Sequence, residues 1–285
     1  MHTLIHVLEH SIIDSIKLIP FLFIAFLIIE WVEHKLSKKS ENIVSKSGKF
    51  GPIIGSTLGL IPQCGFSVVA TNLYITRIIS LGTLISIYLS TSDEMLPILL
   101  SKQCEPKIIV LFLLCKFFIG IISGFIIDFV LRNNKKEKIK YDICEDEHCG
   151  CAHENNLIKS SLIHTIKIFL FILVSTLIIN LCLEYLGEEL LSKLFLKDSI
   201  FAPFITSLIG FIPNCGSSVI ITELYLSGAL SFAAALSGLL TNSGIALLIL
   251  FKSNKNIKEN LSILGLTYAI GVVVGIVAEI ITYII

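Results

Sequence analysis

A 24-residue segment occurs twice in this chain of 285 residues, and this repeat restricts the fold more than any other feature. The copies start at Gly51 and Ala202 and are identical at 13 of the 23 positions between 52 and 74, at a constant offset of 151. Each copy interrupts apolar sequence with a Pro-polar-Cys-Gly motif, at 62–65 and 213–216. Paired interruptions at matching places in two halves of a membrane protein point to a binding site between the halves.

The composition predicts an integral membrane protein. Hydrophobic residues make up 54% of the chain and charged residues only 15%, whereas a soluble domain has roughly 25% charged residues. The apolar runs approach or exceed the length of about 20 residues that a helix needs to span a bilayer. These runs are continuous rather than alternating, which favours helices over barrel strands. The formal net charge of zero gives no indication of nucleic-acid binding.

The repeat divides the chain into a first transmembrane repeat at 1–131, a cytoplasmic linker at 132–159 and a second transmembrane repeat at 160–285. Lysine-rich loops at 34–50, 132–140 and 252–258 are expected to face the cytoplasm. This placement holds only if the segment that contains each motif enters the membrane and returns. The sequence therefore predicts an all-α polytopic membrane protein with two inverted repeats of five helical elements, each with a Pro/Gly-broken re-entrant hairpin.

The two motifs supply the first candidate residues of a substrate pathway. Proline removes a backbone donor and glycine lowers helix stability, so a helix should end or unwind there. Unwound backbone is tolerated in a membrane only where it is buried or lines a cavity. The polar side chains exposed to a solute would be Gln63, Cys64, Asn214 and Cys215, followed one turn later by Ser67 and Ser218. The alternative is that the small residues only allow close helix packing.

Acidic and amide side chains in the apolar tracts are the second group of candidates. Asp93 and Glu94 follow the first motif, and Glu223 lies in the second copy opposite Asn72 of the first. Asn242 belongs to a further matching stretch. Ionisable residues within a membrane are functional hypotheses by default, although these acids would also suit an interface or a helix cap. Carboxylates favour a hard cation such as manganese or a proton relay, and thiolates favour a softer ion.

The linker contains a third candidate, a cluster of cysteine and histidine residues. Its members are Cys144, His148, Cys149, Cys151 and His153. Cysteine and histidine at short spacing are typical ligands of a tetrahedral metal ion, and the reduced cytosol would keep these thiols free of disulfides. A solvated loop that binds metal only adventitiously is the alternative. Apart from a metal ion in this loop, no cofactor is indicated.

At these motifs the chain resembles a known family. The stretches GLIPQCGFSVVATNLY, LSTSDEMLPILLS and GFIPNCGSSVIITELYLSGALSF are similar to those of the ten-helix heavy-metal exporters, whose members carry the names arsenic efflux protein and manganese transporter. The resemblance covers nearly the whole chain, including the Cys/His-rich loop. It implies a multi-pass protein of the bacterial inner membrane, with Gln63, Cys64, Asn214 and Cys215 at the motif positions.

The sequence thus predicts a secondary transporter, not an enzyme, that exports a heavy-metal or metalloid ion of the manganese or arsenic type by alternating access. Its expected partners are an inorganic ion and the lipid bilayer, with a homo-oligomer left open. One alternative is a membrane-embedded thiol redox or metal-handling enzyme that uses Cys64 and Cys215, which would require Cα atoms within about 7 Å. Another is a metal sensor based on the linker.

Overall fold

The computed structural model describes residues 48–131 and 199–284 except 63, 93, 214 and 215, together with the helical positions 20, 23, 24, 27, 162, 163, 165, 166, 169, 170, 173 and 174. Within these residues all regular structure is helical and no strand occurs, which confirms the predicted all-α class. A short 3-10 turn at Gly48–Phe50 leads into the first helix. The helices are α1 (Gly51–Gly59), α2 (Cys64–Ile75), α3 (Leu81–Ser90), α4 (Met95–Ser101), α5 (Pro106–Val130), α6 (Ala202–Gly210), α7 (Gly216–Leu226), α8 (Phe232–Thr241), α9 (Ala246–Ser253) and α10 (Ile257–Ile284).

The sequence repeat is also a repeat of helices. The starting residues of α1, α3, α4 and α5 recur 151 positions later as the starting residues of α6, α8, α9 and α10. α2 and α7 end 151 positions apart, at Ile75 and Leu226. The correspondence therefore extends over five helices in each half, well beyond the 24-residue segment in which the sequence identity is concentrated.

The same capping arrangement starts α3 and α8. Ser80 Oγ accepts a hydrogen bond from the Thr83 amide at 3.1 Å and donates one to Asp128 Oδ2 at 2.7 Å. In the second half, Ser231 Oγ accepts from the amide of Ala234 at 3.1 Å and donates to Glu279 Oε2 at 2.8 Å. A serine hydroxyl satisfies a helix N-terminus while it donates to a second group. The acid at the end of each long helix is thereby tied to the start of a neighbouring helix.

Small residues bring the helices of each half into close contact. α3 packs against α1 and α5, as α8 packs against α6 and α10. A Cβ atom added at Gly55 of α1 would lie 2.6 Å from Ser86 Oγ of α3, and one added at Gly120 of α5 would lie 2.6 Å from Ser56 Oγ of α1. Membrane helices associate through such close approach of backbones, because lipid provides no hydrophobic force between them.

The two halves interlock through their short helices. α4 of the first half packs against α7 of the second, and α9 of the second packs against α2 of the first. The Phe112 ring of α5 also lies 4.4 Å from the Phe232 ring and 5.3 Å from the Tyr225 ring, measured between centroids. The apolar core therefore lies between the halves as well as within them.

Three stretches of the described chain are long and apolar enough to cross a membrane: Pro106–Val130, Phe232–Ser253 and Ile257–Ile284. α5 has 25 residues, about 37 Å at 1.5 Å per residue, which exceeds the roughly 30 Å of a hydrocarbon core. Large apolar side chains on its outer face, such as Phe118 and Ile122, are more than half exposed. An apolar outer surface on helices of this length is that of a membrane protein.

Candidate functional site

Four helix interruptions surround the centre of the bundle. α1 ends at Gly59 and α6 at Gly210, just before the two Pro-polar-Cys-Gly motifs, and α2 and α7 start within those motifs. Two further interruptions, at 91–94 and 242–245, separate α3 from α4 and α8 from α9. Each interruption leaves carbonyls without a donor at one helix end and amides without an acceptor at the next.

In the first half, the interruption after α3 donates hydrogen bonds to free backbone carbonyls at the interruption after α1. The amide of Ser92 donates to the carbonyl oxygen of Gly59 at 3.2 Å, and Ser92 Oγ donates to that of Leu60 at 3.1 Å. These carbonyls belong to the last residue of α1 and to its C-cap. Ser92, which is 2% exposed, thus ties the segment after α3 to the end of α1.

In the second half, Asn242 makes a connection of a different kind. Its Oδ1 accepts hydrogen bonds from the Ser217 hydroxyl at 3.3 Å and from the Gly244 amide at 3.0 Å. Gly244 has φ +57°, a left-handed conformation that glycine adopts without steric cost. Asn242 thus joins the interruption after α8 to the first turn of α7.

The two halves meet at these interruptions. Ser67 Oγ in the first turn of α2 lies 3.5 Å from the carbonyl oxygen of Ser243. The hydroxyl of Ser243 is buried and has no hydrogen-bond partner among the described residues. We define the central polar cluster by its members, which are Ser67, Ser92, Ser217, Asn242 and Ser243; each of them is at most 2% exposed.

The structure brings part of the predicted pathway to this cluster. Ser67 and Asn242 are members of it, and the buried Ser218 lies next to Ser217 at the start of α7. Glu94 is buried at the N-cap position of α4, two residues after Ser92. The residues Gln63, Asp93, Asn214, Cys215, Cys144, His148, Cys149, Cys151 and His153, and the side chain of Cys64, lie outside the described part of the structure. Their roles stay predictions.

Glu223 and Asn72 lie away from the cluster. Glu223 is the eighth residue of α7, about 10 Å along the helix from its first residue. Its side chain is 7% exposed, and Oε2 lies 3.3 Å from Lys102 Nζ, whereas Oε1 is buried without a partner among the described residues. Asn72, the matching residue of the first half, is exposed. Their roles in the pathway remain predictions as well.

The Lys102–Glu223 pair lies near the first residue of α5. A second ion pair joins the halves near the last residues of that helix. Arg77 in the turn after α2 donates to both carboxylate oxygens of Glu259 on α10, at 2.6 and 2.8 Å. Tyr74 donates to the same carboxylate at 2.5 Å. These hydrogen bonds raise the pKa of the Arg77 guanidinium above its ordinary value. A charged pair with planar, two-point geometry is a strong contact, and the sequence pattern did not predict it.

Lys116 is the functional candidate that sequence reasoning missed. It lies in the interior of the apolar helix α5, is 1% exposed, and donates through Nζ to the carbonyl oxygen of Leu239 on α8. A charge at the centre of a bilayer costs about 2.5–3.5 kcal/mol on insertion scales. The signal that could have revealed it is the single lysine within a long apolar run.

The bundle has an apolar outer surface and buried polar residues at interrupted helices. These features define the class of integral membrane proteins with discontinuous helices, an architecture found in many transporters. The chain belongs to the family described as "Putative, 10TM heavy-metal exporter", which matches it at residues 4–189, 130–253 and 184–283. No curated protein and no solved structure matches the chain. Within the described residues, no group of three or more His, Cys, Asp or Glu side chains could hold a metal ion.

Proposed function

We propose that this protein is a multi-pass secondary transporter of the bacterial inner membrane that exports a heavy-metal or metalloid ion by alternating access. The observation that carries the proposal is the central polar cluster, where interrupted helices of both halves meet at buried hydroxyl, amide and carbonyl groups. Such groups replace the water around an ion in a membrane. Membership of the exporter family supports the same conclusion.

Inverted repeats are part of this proposal, and contacts at the ends of the long helices support them. Asp128 near the end of α5 contacts Ser80. Arg77 lies three residues before Ser80, and it contacts Glu259 near the start of α10. The end of α5 and the start of α10 therefore share one end of the bundle. Equivalent helices that run in opposite directions place their motifs on opposite sides of one central site.

Contacts of α1 support a re-entrant path for the first motif. Gly55 of α1 approaches Ser86 of α3, and Gly59 approaches Ser90, so the two helices run in the same direction. α1 therefore starts at the end of the bundle where α3 starts and runs toward the centre of the bundle. α2 leads back to that end, because Ser80, five residues after α2, caps the start of α3. In the second half, Gly210 of α6 approaches α8, and Gly275 of α10 approaches α6 and α8. These contacts favour the same path for α6 and α7.

Alternating access needs a closed contact between the halves on each side of the site. The pairs Arg77–Glu259 and Lys102–Glu223 both join the first half to the second. They flank opposite ends of α5, which are separated by about 37 Å. Opening one pair while the other holds would expose the central cluster to one side of the membrane at a time.

Two sets of predicted pathway residues favour different ions. Cys64 and Cys215 would bind a thiophilic metalloid such as arsenite, whereas the carboxylates Asp93 and Glu223 would attract a hard cation such as manganese. In the proposal the linker at 132–159 is accessory, and its Cys/His cluster delivers or senses the ion in the cytoplasm.

The first experiment compares bacterial cells with and without the gene after challenge with manganese, arsenite, zinc and cadmium. Resistance and cellular accumulation of each ion would be measured. A transporter of the proposed kind raises resistance to at least one ion and lowers its accumulation. Equal accumulation of all four ions in the two strains would contradict the proposed function.

The thiol role is tested by the double variant Cys64→Ser/Cys215→Ser, with Cys115→Ser on α5 as the matched control. Cys115 is partly buried, outside the central polar cluster. If thiolates bind the ion, the double variant loses resistance and the control retains it. Unchanged resistance in the double variant would contradict the thiol role.

A further inference from the structure

Lys116 contacts α8 where that helix is interrupted. α8 ends at Thr241, and the carbonyl of Leu239 lies in its last turn, where carbonyls have no intrahelical donor. The Lys116 ammonium donates to this carbonyl from α5 of the other half. The C-terminal end of a helix carries partial negative charge, so a cation is favoured there.

The matching position in the second half shows that helix packing does not require this charge. Thr267 lies 151 residues after Lys116, at the same place on α10, and is also fully buried. Its hydroxyl donates to the carbonyl of Ile263 within its own helix at 2.8 Å. The repeat therefore buries a neutral side chain at one of these two positions and an ammonium group at the other.

In transporters with broken helices, the C-terminal ends of half-helices and the unwound carbonyls bind the sodium ion or the proton that drives the cycle. Lys116 places a protonatable cation at an end of this kind, beside the central polar cluster. Ionisable side chains of membrane helices that face the interior of the bundle mark pathways of substrates, ions or protons.

We propose that Lys116 is the coupling residue of the transport cycle, so that a proton bound at its Nζ drives transport and no sodium ion is required. The inference rests on the proposed transport function and specifies how that transport is driven. In each cycle the neutral amine takes up one proton from water on one side and becomes the ammonium that binds Leu239. When the site opens to the other side, the ammonium releases that proton to water, and only N–H bonds form and break.

The helix of Lys116 packs against α1 and α3 and contacts α8, so titratable groups on these helices and on the neighbouring segments bear on its charge. α1 and α8 carry none, and α3 carries Tyr88, whose hydroxyl lies 2.6 Å from Thr71 Oγ1. The remaining groups on neighbouring segments are Asp93, Glu94, Glu223 and Tyr225. Of these, Glu223 is paired with Lys102, and Asp93 lies outside the described residues.

The first test uses the purified wild-type protein and needs no knowledge of the transported ion. Its thermal unfolding would be measured in sodium chloride and in choline chloride at equal ionic strength. A cation that binds the folded state raises the unfolding temperature by mass action. We expect the same unfolding temperature in both salts. A higher unfolding temperature in sodium chloride, of the size expected for one specific sodium site, would overturn the proposal.

The second test uses proteoliposomes with manganese and arsenite as separate probe ions. For the ion that is transported, a pH gradient is expected to drive net transport with movement of protons, and a sodium gradient without a pH gradient is expected to have no effect. Transport driven by sodium, or transport without proton movement, would overturn the proposal. If neither ion moves, the proposed function fails for these ions, and a higher unfolding temperature in sodium chloride would still overturn the assignment of Lys116 by itself.

The variant Lys116→Arg separates coupling from structure. A guanidinium keeps the charge and the hydrogen-bond donors but does not release its proton. Net transport driven by the pH gradient should fall by at least about tenfold, within the range of coupling between sites, while exchange of unlabelled for labelled ion continues. Lys107→Arg, on the exposed first turn of α5, is the control and should change neither. Equal loss of both activities in Lys116→Arg, or the loss of neither, would contradict a coupling role. If this variant does not fold, transport driven by sodium in the wild-type protein would still overturn the proposal.

Discussion

Arg77 and Glu259 join the two halves of the chain by two charge-assisted hydrogen bonds, of 2.6 and 2.8 Å, at one end of the bundle. The guanidinium also lies over the ring of Tyr74, 5.1 Å from its centroid. Neither partner has a charged equivalent in the repeat, because Gly228 and Ile108 occupy the matching positions. The contact is therefore specific to one end of the molecule.

Glu259→Gln should lower the free energy of unfolding by about 1.5–3 kcal/mol, the usual contribution of hydrogen bonds to charged groups. The side chains of Arg77 and Glu259 are only 16% and 10% exposed, so solvent screens the pair weakly. Arg77→Lys should recover only part of the loss, because an ammonium lacks the planar fork of a guanidinium. Unfolding in mixed detergent would measure these differences. Lys258→Gln, an exposed neighbour on α10, is the control, and equal stability of it and Glu259→Gln would refute the prediction.

The Lys102–Glu223 pair should control access from the other end of the bundle. Lys102→Glu would place two carboxylates together and open this end, because like charges repel at short distance. We expect labelling of Ser227→Cys, one turn after Glu223, by a membrane-impermeant maleimide to rise by about fivefold or more.

The charge-swapped variant Lys102→Glu/Glu223→Lys restores an attractive pair and should return the labelling rate to that of the parent protein. Lys107→Glu, which changes an exposed charge at the start of α5, serves as the control and should leave the rate unchanged. Labelling of the swapped variant that stays as fast as that of Lys102→Glu would show that the pair does not close this end.

Two glycines of α10 should respond in opposite ways to the same substitution. A Cβ at Gly275 would lie 2.7 Å from Pro203 Cβ and 2.7 Å from Ser237 Cβ, whereas one at Gly265 would meet nothing within 4 Å. Gly275→Ala should therefore destabilise the protein by about 1–3 kcal/mol through overpacking. Gly265→Ala should be neutral or stabilise it by up to about 1 kcal/mol, because alanine is the better helix former. Thermal unfolding of the two variants checks both signs, and equal effects would contradict the packing described here.

Two of the four helix interruptions, those at the Pro-polar-Cys-Gly motifs, were readable in the sequence. Proline and glycine act locally, because they remove a donor or loosen the backbone wherever the chain folds, and helices do end at Gly59 and Gly210. The repeat also pointed to Ser67 and Asn242, and the structure places both in the central polar cluster. Their role in transport stays a prediction.

Other parts of the site depended on which distant residues meet. The pairing of Lys102 with Glu223 joins residues 121 positions apart along the chain, and that of Arg77 with Glu259 joins residues 182 apart. Neither pair follows the repeat, so no internal symmetry predicted them. Lys116 was visible as a charge in an apolar run, but only the folded structure brings its amine to the carbonyl of Leu239 on α8.

The sequence by itself determined that the chain is helical, resides in a membrane, consists of two related halves and breaks its helices at defined motifs. These properties follow from composition, run length and local backbone chemistry. The tertiary structure alone decided that the central polar cluster joins both halves, that Lys116 binds the end of a broken helix, and that two unlike ion pairs lie at opposite ends of α5. Such contacts depend on how helices from distant parts of the chain pack, and packing is a property of three-dimensional shape that no local pattern encodes.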